Sequence, residues 1–142
     1  MDHITEIELQ LDAIITFWYA HEDDLDTLIT MLGGYGSQNS YHTIVTADHP
    51  ATYQYQMKMM LQYLESFYAK DLPKMGALIS TLPDSEYKTK MIKRVKITLI
   101  HLEKMFIEMF WGGIRPMRTH FNVICRDIYT FRLLWANMKD GI

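Results

Sequence analysis

The closing stretch of the chain repeats an apolar residue every three or four positions without a break: Met117, Phe121, Ile124, Ile128, Phe131, Trp135 and Met138. Steps of three and four place every member on one face of an α-helix, whereas a strand needs steps of two. The opening stretch does the same through Ile4, Ile7, Leu11, Ile14, Trp18, His21, Leu25, Leu28 and Leu32. Two long helices with one apolar stripe each cannot bury those stripes alone, so a bundle is the expected solution.

The remaining segments fit that plan. Gly33 and Gly34 stop the first helix, as glycine does just past a helix end. A polar loop, YGSQNSYHTIVTAD, follows, and Pro50 marks the first turn of a second helix with the seam Tyr53, Met57, Met60, Leu64 and Phe67. That helix is expected to end near Asp71, with Pro73 opening a short third one through Met75, Leu78, Ile79 and Leu82. Asp84 is the expected N-cap of the fourth, with Glu86 in its first turn, where the helix dipole favours acid. It should run to Gly112 and Gly113, and the fifth begins near Pro116. The fold class expected is all-α: a single-domain helical bundle, residues 1–142, of four long helices plus one short helix. A chain of 142 residues suits one such domain.

The segment from Lys88 to Gly113, KTKMIKRVKITLIHLEKMFIEMFWGG, is basic at its start and apolar later. On a helical wheel Lys90, Lys93, Arg94, Thr98, His101, Lys104 and Glu108 share one arc, and Met91, Ile92, Val95, Leu99, Leu102, Phe106 and Met109 share another. Lys88, Lys96 and Glu103 fall outside the polar arc, so the cations make no one-sided patch. The narrow polar stripe of its later half predicts a central, largely buried helix. A membrane-surface helix would carry cations along its whole length, and a nucleic-acid reader would carry more of them overall.

Charge is distributed unevenly. Residues 1 to 50 hold nine acidic side chains and no lysine or arginine, a balance of −9, against +6 in the remainder and −3 overall. Glu8, Ile15 and Glu22 flank the first seam at intervals of seven, and Arg118, Cys125, Arg132 and Lys139 flank the last at the same interval. Antiparallel packing of these two helices predicts the pairs Glu8–Arg132, Ile15–Cys125 and Glu22–Arg118, which orient the helices more than they stabilise them. The acids left over form either a solvated face that keeps the protein soluble or a surface that docks a basic partner by electrostatic steering. The candidate partner-binding residues are Glu22, Asp23, Asp24 and Asp26, with Phe110 and Trp111 of the FWGG turn as aromatic anchors.

Motifs for chemistry are scarce. The chain has no His-x-x-x-His, Glu-x-x-His or Cys-x-x-Cys, no Gly-x-Ser-x-Gly elbow and no Gly-Lys-Ser/Thr phosphate loop. Its one cysteine, Cys125, forms no internal disulfide and shares a helix face with no base. His21 occupies a seam position that asks for an apolar residue, and the antiparallel register brings His120 to its level; a satisfied core imidazole is the plain reading, and a metal or haem ligand or a pH-sensitive joint are the alternatives. Eleven methionines fill an irregular core or line a pliable groove.

MDHITEIELQ lacks the basic stretch and apolar run of a signal peptide. No uncharged apolar run reaches the roughly 18 residues of a membrane span. A cytoplasmic protein is expected, with no cofactor, no metal and no catalysis. The expected function is a protein-binding module of the immunity, antitoxin or viral-inhibitor kind, docking a basic protein partner through the acidic first helix, and compatible with a homodimer. A small-molecule, metal or haem sensor and a nucleic-acid-associated regulator are the alternatives. The first requires an internal cavity facing His21. The second requires Lys88 to Lys96, Arg115 and Arg118 to converge on one surface.

Overall fold

The structure, a computed structural model, describes residues 2–33, 51–108 and 114–141. Four long helical rods account for nearly all of them: α1 (His3–Gly33), α2 (Ala51–Ser66, continued by a π turn at Phe67–Asp71 and by Leu72–Ser80), α3 (Glu86–Ile107) and α4 (Ile114–Asp140). No strand occurs among the described residues. The polar loop expected at 35–48 and the end of the fourth helix beyond 108 lie outside them.

Each rod runs antiparallel to the next. His3 Nε2 lies 2.9 Å from Thr81 Oγ1, which ties the start of α1 to the turn after α2. Tyr68 donates to Glu103 at 2.5 Å across α2 and α3. Arg94 meets Asp127 at 3.1 Å across α3 and α4. Lys139, near the end of α4, meets Glu8, near the start of α1, at 2.8 Å. An up-down-up-down four-helix bundle results, the packing that short connections and apolar stripes favour.

The seams form its core. All seven seam positions of α4 are buried, from Met117 to Met138. So are Ile7, Leu11, Ile14, Trp18, Leu25 and Leu28 of α1. Burying each such side chain contributes about 1.5–3 kcal/mol. Trp18 bridges the layers, with its ring centroid 4.7 Å from that of Phe67 and 6.3 Å from that of Phe121. Met57, Met75, Met91, Met105, Met117 and Met138 are also buried, so methionine here chiefly fills the core.

Several boundaries differ from the sequence reading. The short helix expected from Pro73 is present as Leu72–Ser80, with Pro73 in its first turn, but no break separates it from the helix before it. The backbone stays helical through Ser66, Asp71 and Leu72, and the Leu72 N–H bonds to the Phe67 carbonyl, five residues back. In a regular helix the Pro73 ring would collide with the carbonyl four residues earlier. The wider π turn just ahead of it relieves that conflict, so the expected short helix is the second half of α2.

At α3 the cap is Ser85 rather than Asp84. Ser85 is the extended residue, at φ −162° and ψ 166°, and its hydroxyl accepts from the Lys88 N–H at 3.1 Å. Asp84 instead pairs with the Lys88 ammonium at 3.1 Å. Nor is the later half of α3 wrapped on all sides: Ile100 and Ile107 are 49% and 62% exposed. Thr98, from the expected polar arc, is buried, and its hydroxyl donates to the Arg94 carbonyl at 2.8 Å.

The α1–α4 pairing is antiparallel as expected, but offset by one heptad. Glu8 meets Lys139, not Arg132; Glu22 hydrogen-bonds Cys125; Arg118 pairs with Asp26. Arg132 lies over the Tyr19 ring, 5.8 Å from its centroid. Residues seven apart share a face, so the offset preserves every buried stripe and changes only which charges meet.

Candidate functional site on the outer face of α1

The acidic residues of α1 divide between two edges. Glu22 is half-buried against α4 and bonds the Cys125 thiol. Asp26 pairs with the Arg118 guanidinium, which also donates to the Asp26 carbonyl at 3.2 Å and to Thr30 Oγ1 at 2.8 Å. Both are therefore committed to the bundle. Asp23 and Asp24 are exposed, and neither has an ion-pair partner among the described residues. Of the six candidate partner-binding residues, Phe110 and Trp111 lie outside the described residues.

Cys125 serves structure. Burial, the Glu22 hydrogen bond and the nearby carboxylate charges push its thiol far above the ordinary range, so it carries almost no thiolate at neutral pH.

On its other edge α1 meets the π turn of α2. The two helices leave a groove of about 430 Å³, lined by Leu9, Gln10, Ala13 and Phe17 on one side and Ser66, Asp71 and Lys74 on the other. Leu9 and Phe17 are 54% and 51% exposed along it. The end of the groove is a stack of rings. His21 lies on Tyr63 with centroids 4.1 Å apart and planes 12° from parallel, and Phe17 tilts against His21 at 4.4 Å. A carbonyl only accepts, so His21 Nδ1 carries the hydrogen and donates to the Phe17 carbonyl at 2.9 Å. His21 is thus a satisfied surface-edge imidazole, and its level partner is Tyr63 rather than His120.

Beneath that stack the Tyr63 hydroxyl is buried with no hydrogen-bond partner among the described residues. Burial and the charge of Asp71 push its ionisation well above the ordinary tyrosine range. Asp71 in turn is raised by burial, against the opposing charges of Lys74 and Lys70. Phe17 and Asp24 are seven residues apart and so share one face of α1, which places an exposed carboxylate two turns, about 10 Å, along the helix from an exposed ring. Periodicity alone could not reveal this groove: Leu9 and Phe17 stand off the seam, and only the π turn brings Asp71 and Lys74 opposite them.

The basic start of α3 is mostly spoken for. Lys88 bonds Asp84 and the Leu82 carbonyl, Lys90 pairs with Glu86 at 2.8 Å, and Arg94 with Asp127. Asp127 is fully buried, and its second carboxylate oxygen has no partner among the described residues. A buried charge left without its partner is costly, so the Arg94–Asp127 pair holds the level of α3 against α4. One heptad along, His101 and His120 face each other across the same pair of helices.

Among the described residues no three histidine, cysteine, aspartate or glutamate side chains gather as metal ligands. No helix among them is long and apolar enough to cross a membrane. The chain matches no family model, and no curated protein or solved structure is significantly similar to it.

Proposed function

We propose that the chain is a non-catalytic protein-binding module that docks a basic, amphipathic segment of another protein along the α2-facing edge of α1. Asp23 and Asp24 supply the field that draws the partner in. Phe17 and Leu9 supply the apolar contact, and the rigid ring stack beneath them keeps Phe17 in place at low entropic cost. An immunity-type or inhibitor protein acts in this way, by covering a basic surface. The observation that carries the reading is the placement of Asp24, exposed and without an ion-pair partner among the described residues, on the same face of α1 as an exposed aromatic groove.

The nucleic-acid alternative is weakened because Lys88, Lys90, Arg94 and Arg118 already have internal partners. The sensor alternative is weakened because His21 faces the ring stack.

The test is capture from the native host on immobilised protein at low salt, comparing the wild type with Asp23→Asn/Asp24→Asn and with Phe17→Ala. A basic protein should be retained by the wild type and released as salt rises, with retention reduced in both variants. Retention of the same protein by all three would end the reading.

A further inference from the structure

His101 of α3 and His120 of α4 point their Nδ1 atoms at each other across 3.1 Å, with ring centroids 5.4 Å apart and planes tilted by 44°. Without a third atom between them, only one Nδ1 can carry a hydrogen and donate it to the other. A second proton would set two cations face to face. The spacing has another use. Zinc binds imidazole nitrogen at roughly 2.0–2.1 Å in a tetrahedron, whose ligand atoms therefore stand about 3.3 Å apart. The two Nδ1 atoms are already near that separation, held there by two packed helices.

We propose that His101 and His120 form a two-imidazole site for a divalent transition-metal ion, with zinc as its best-suited occupant. Metal binding needs neutral imidazole. Burial, and then the charge of His101, hold His120 below the ordinary histidine range; Lys104 acts in the same sense and Glu108 in the opposite one. Lys104 and Glu108 are the charged side chains that bear on the site, and their effects on an added cation oppose each other. The described residues supply no third ligand, so the remaining coordination positions are open to water or to an incoming donor. The metal would cross-link α3 to α4 one heptad from the Arg94–Asp127 pair and strengthen the same helix contact. This inference is independent of the docking surface on α1.

The test uses the full chain, stripped with chelator and titrated with zinc chloride by calorimetry. The wild type should take up zinc at this site. His101→Gln and His120→Gln should each weaken uptake by about tenfold or more, the scale seen when a metal site loses a supporting group. His21→Gln should leave it unchanged. Affinity should fall as pH drops below the ordinary histidine value of 6.5. Circular dichroism checks that the variants fold, and the ring protons of His101 and His120 read the site in the wild type by NMR without any substitution. They should shift on zinc addition ahead of those of the other histidines. No uptake at about 1 mM zinc, the weak end of specific binding, would overturn the proposal and leave a plain N–H···N hydrogen bond. So would unmoved His101 and His120 ring protons, or uptake that survives both glutamine variants.

Discussion

The two edges of α1 use the same residue types to opposite ends. Toward α4, Glu8, Glu22 and Asp26 each find a partner: Lys139, Cys125 and Arg118. Toward α2, Asp24 has none among the described residues, and Phe17 and Leu9 remain half in solvent beside a groove. The difference arises from the neighbours. α4 offers cations and a thiol at intervals of seven, which an acidic helix can meet in register. α2 offers rings and a π turn, and a channel stays open between the two helices there. A charged helix edge is therefore not one surface: its partners decide which stretch orients the fold and which is left to bind.

Removing Trp18 should break this comparison most strongly, because its ring underlies both edges. Trp18→Ala should cost about 3–5 kcal/mol, read by urea unfolding. Fluorescence and circular dichroism should report one shared transition, since a cavity there loosens α2 and α4 together.

Thiol chemistry sharpens the α4 side. Labelling of native Cys125 by a thiol reagent at pH 8 should run about tenfold or more slower than in the unfolded chain, because burial and the Glu22 hydrogen bond oppose the thiolate. Equal rates would mean that the Glu22 edge is not closed.

Tyr63 sharpens the α2 side. Its hydroxyl is buried and has no partner among the described residues, so Tyr63→Phe should be neutral or stabilising by up to about 1 kcal/mol at pH 7. Its ionisation is raised in the folded protein, so the folded state holds the proton more tightly. The associated stability is present below the ordinary value of 10.0 and is lost as pH climbs above it. Alkaline unfolding of Tyr63→Phe should accordingly begin at higher pH than that of the wild type. His120 titrates in the opposite sense. Its folded value is lowered, so its contribution is present above 6.5 and fades as pH falls through the window beneath. His120→Gln should flatten the stability profile between neutral and mildly acid pH, a smaller effect given the exposure of the ring.

What could be read from the chain follows from what periodicity encodes. The α4 seam, Met117 to Met138, appears buried in full because a step of three or four names a face and a bundle must cover it. Register is not encoded that way. Arg118, Cys125, Arg132 and Lys139 are interchangeable modulo seven, so the stripe is unchanged by the one-heptad offset that moves Glu8 from Arg132 to Lys139. Buried polar pairs such as Arg94 with Asp127 settle the level of a helix, and they join residues distant in sequence. Pro73 was legible as the start of a short helix, but the π turn that joins that helix to the one before it leaves no mark in the apolar spacing. Within the candidate site, Asp23 and Asp24 were visible as an acidic run. The separation of Glu22 and Asp26 from them required a knowledge of what stands opposite.

The division of α1 is tested most directly by urea unfolding of two paired variants measured side by side, Glu22→Gln/Asp26→Asn and Asp23→Asn/Asp24→Asn. The first pair should lower the midpoint, by the equivalent of about 1 kcal/mol for two partly exposed contacts, and the second should leave it where it is in the wild type. A second pair as damaging as the first, or a first pair without effect, would contradict the claim that one edge of α1 holds the bundle together while the other is free to bind.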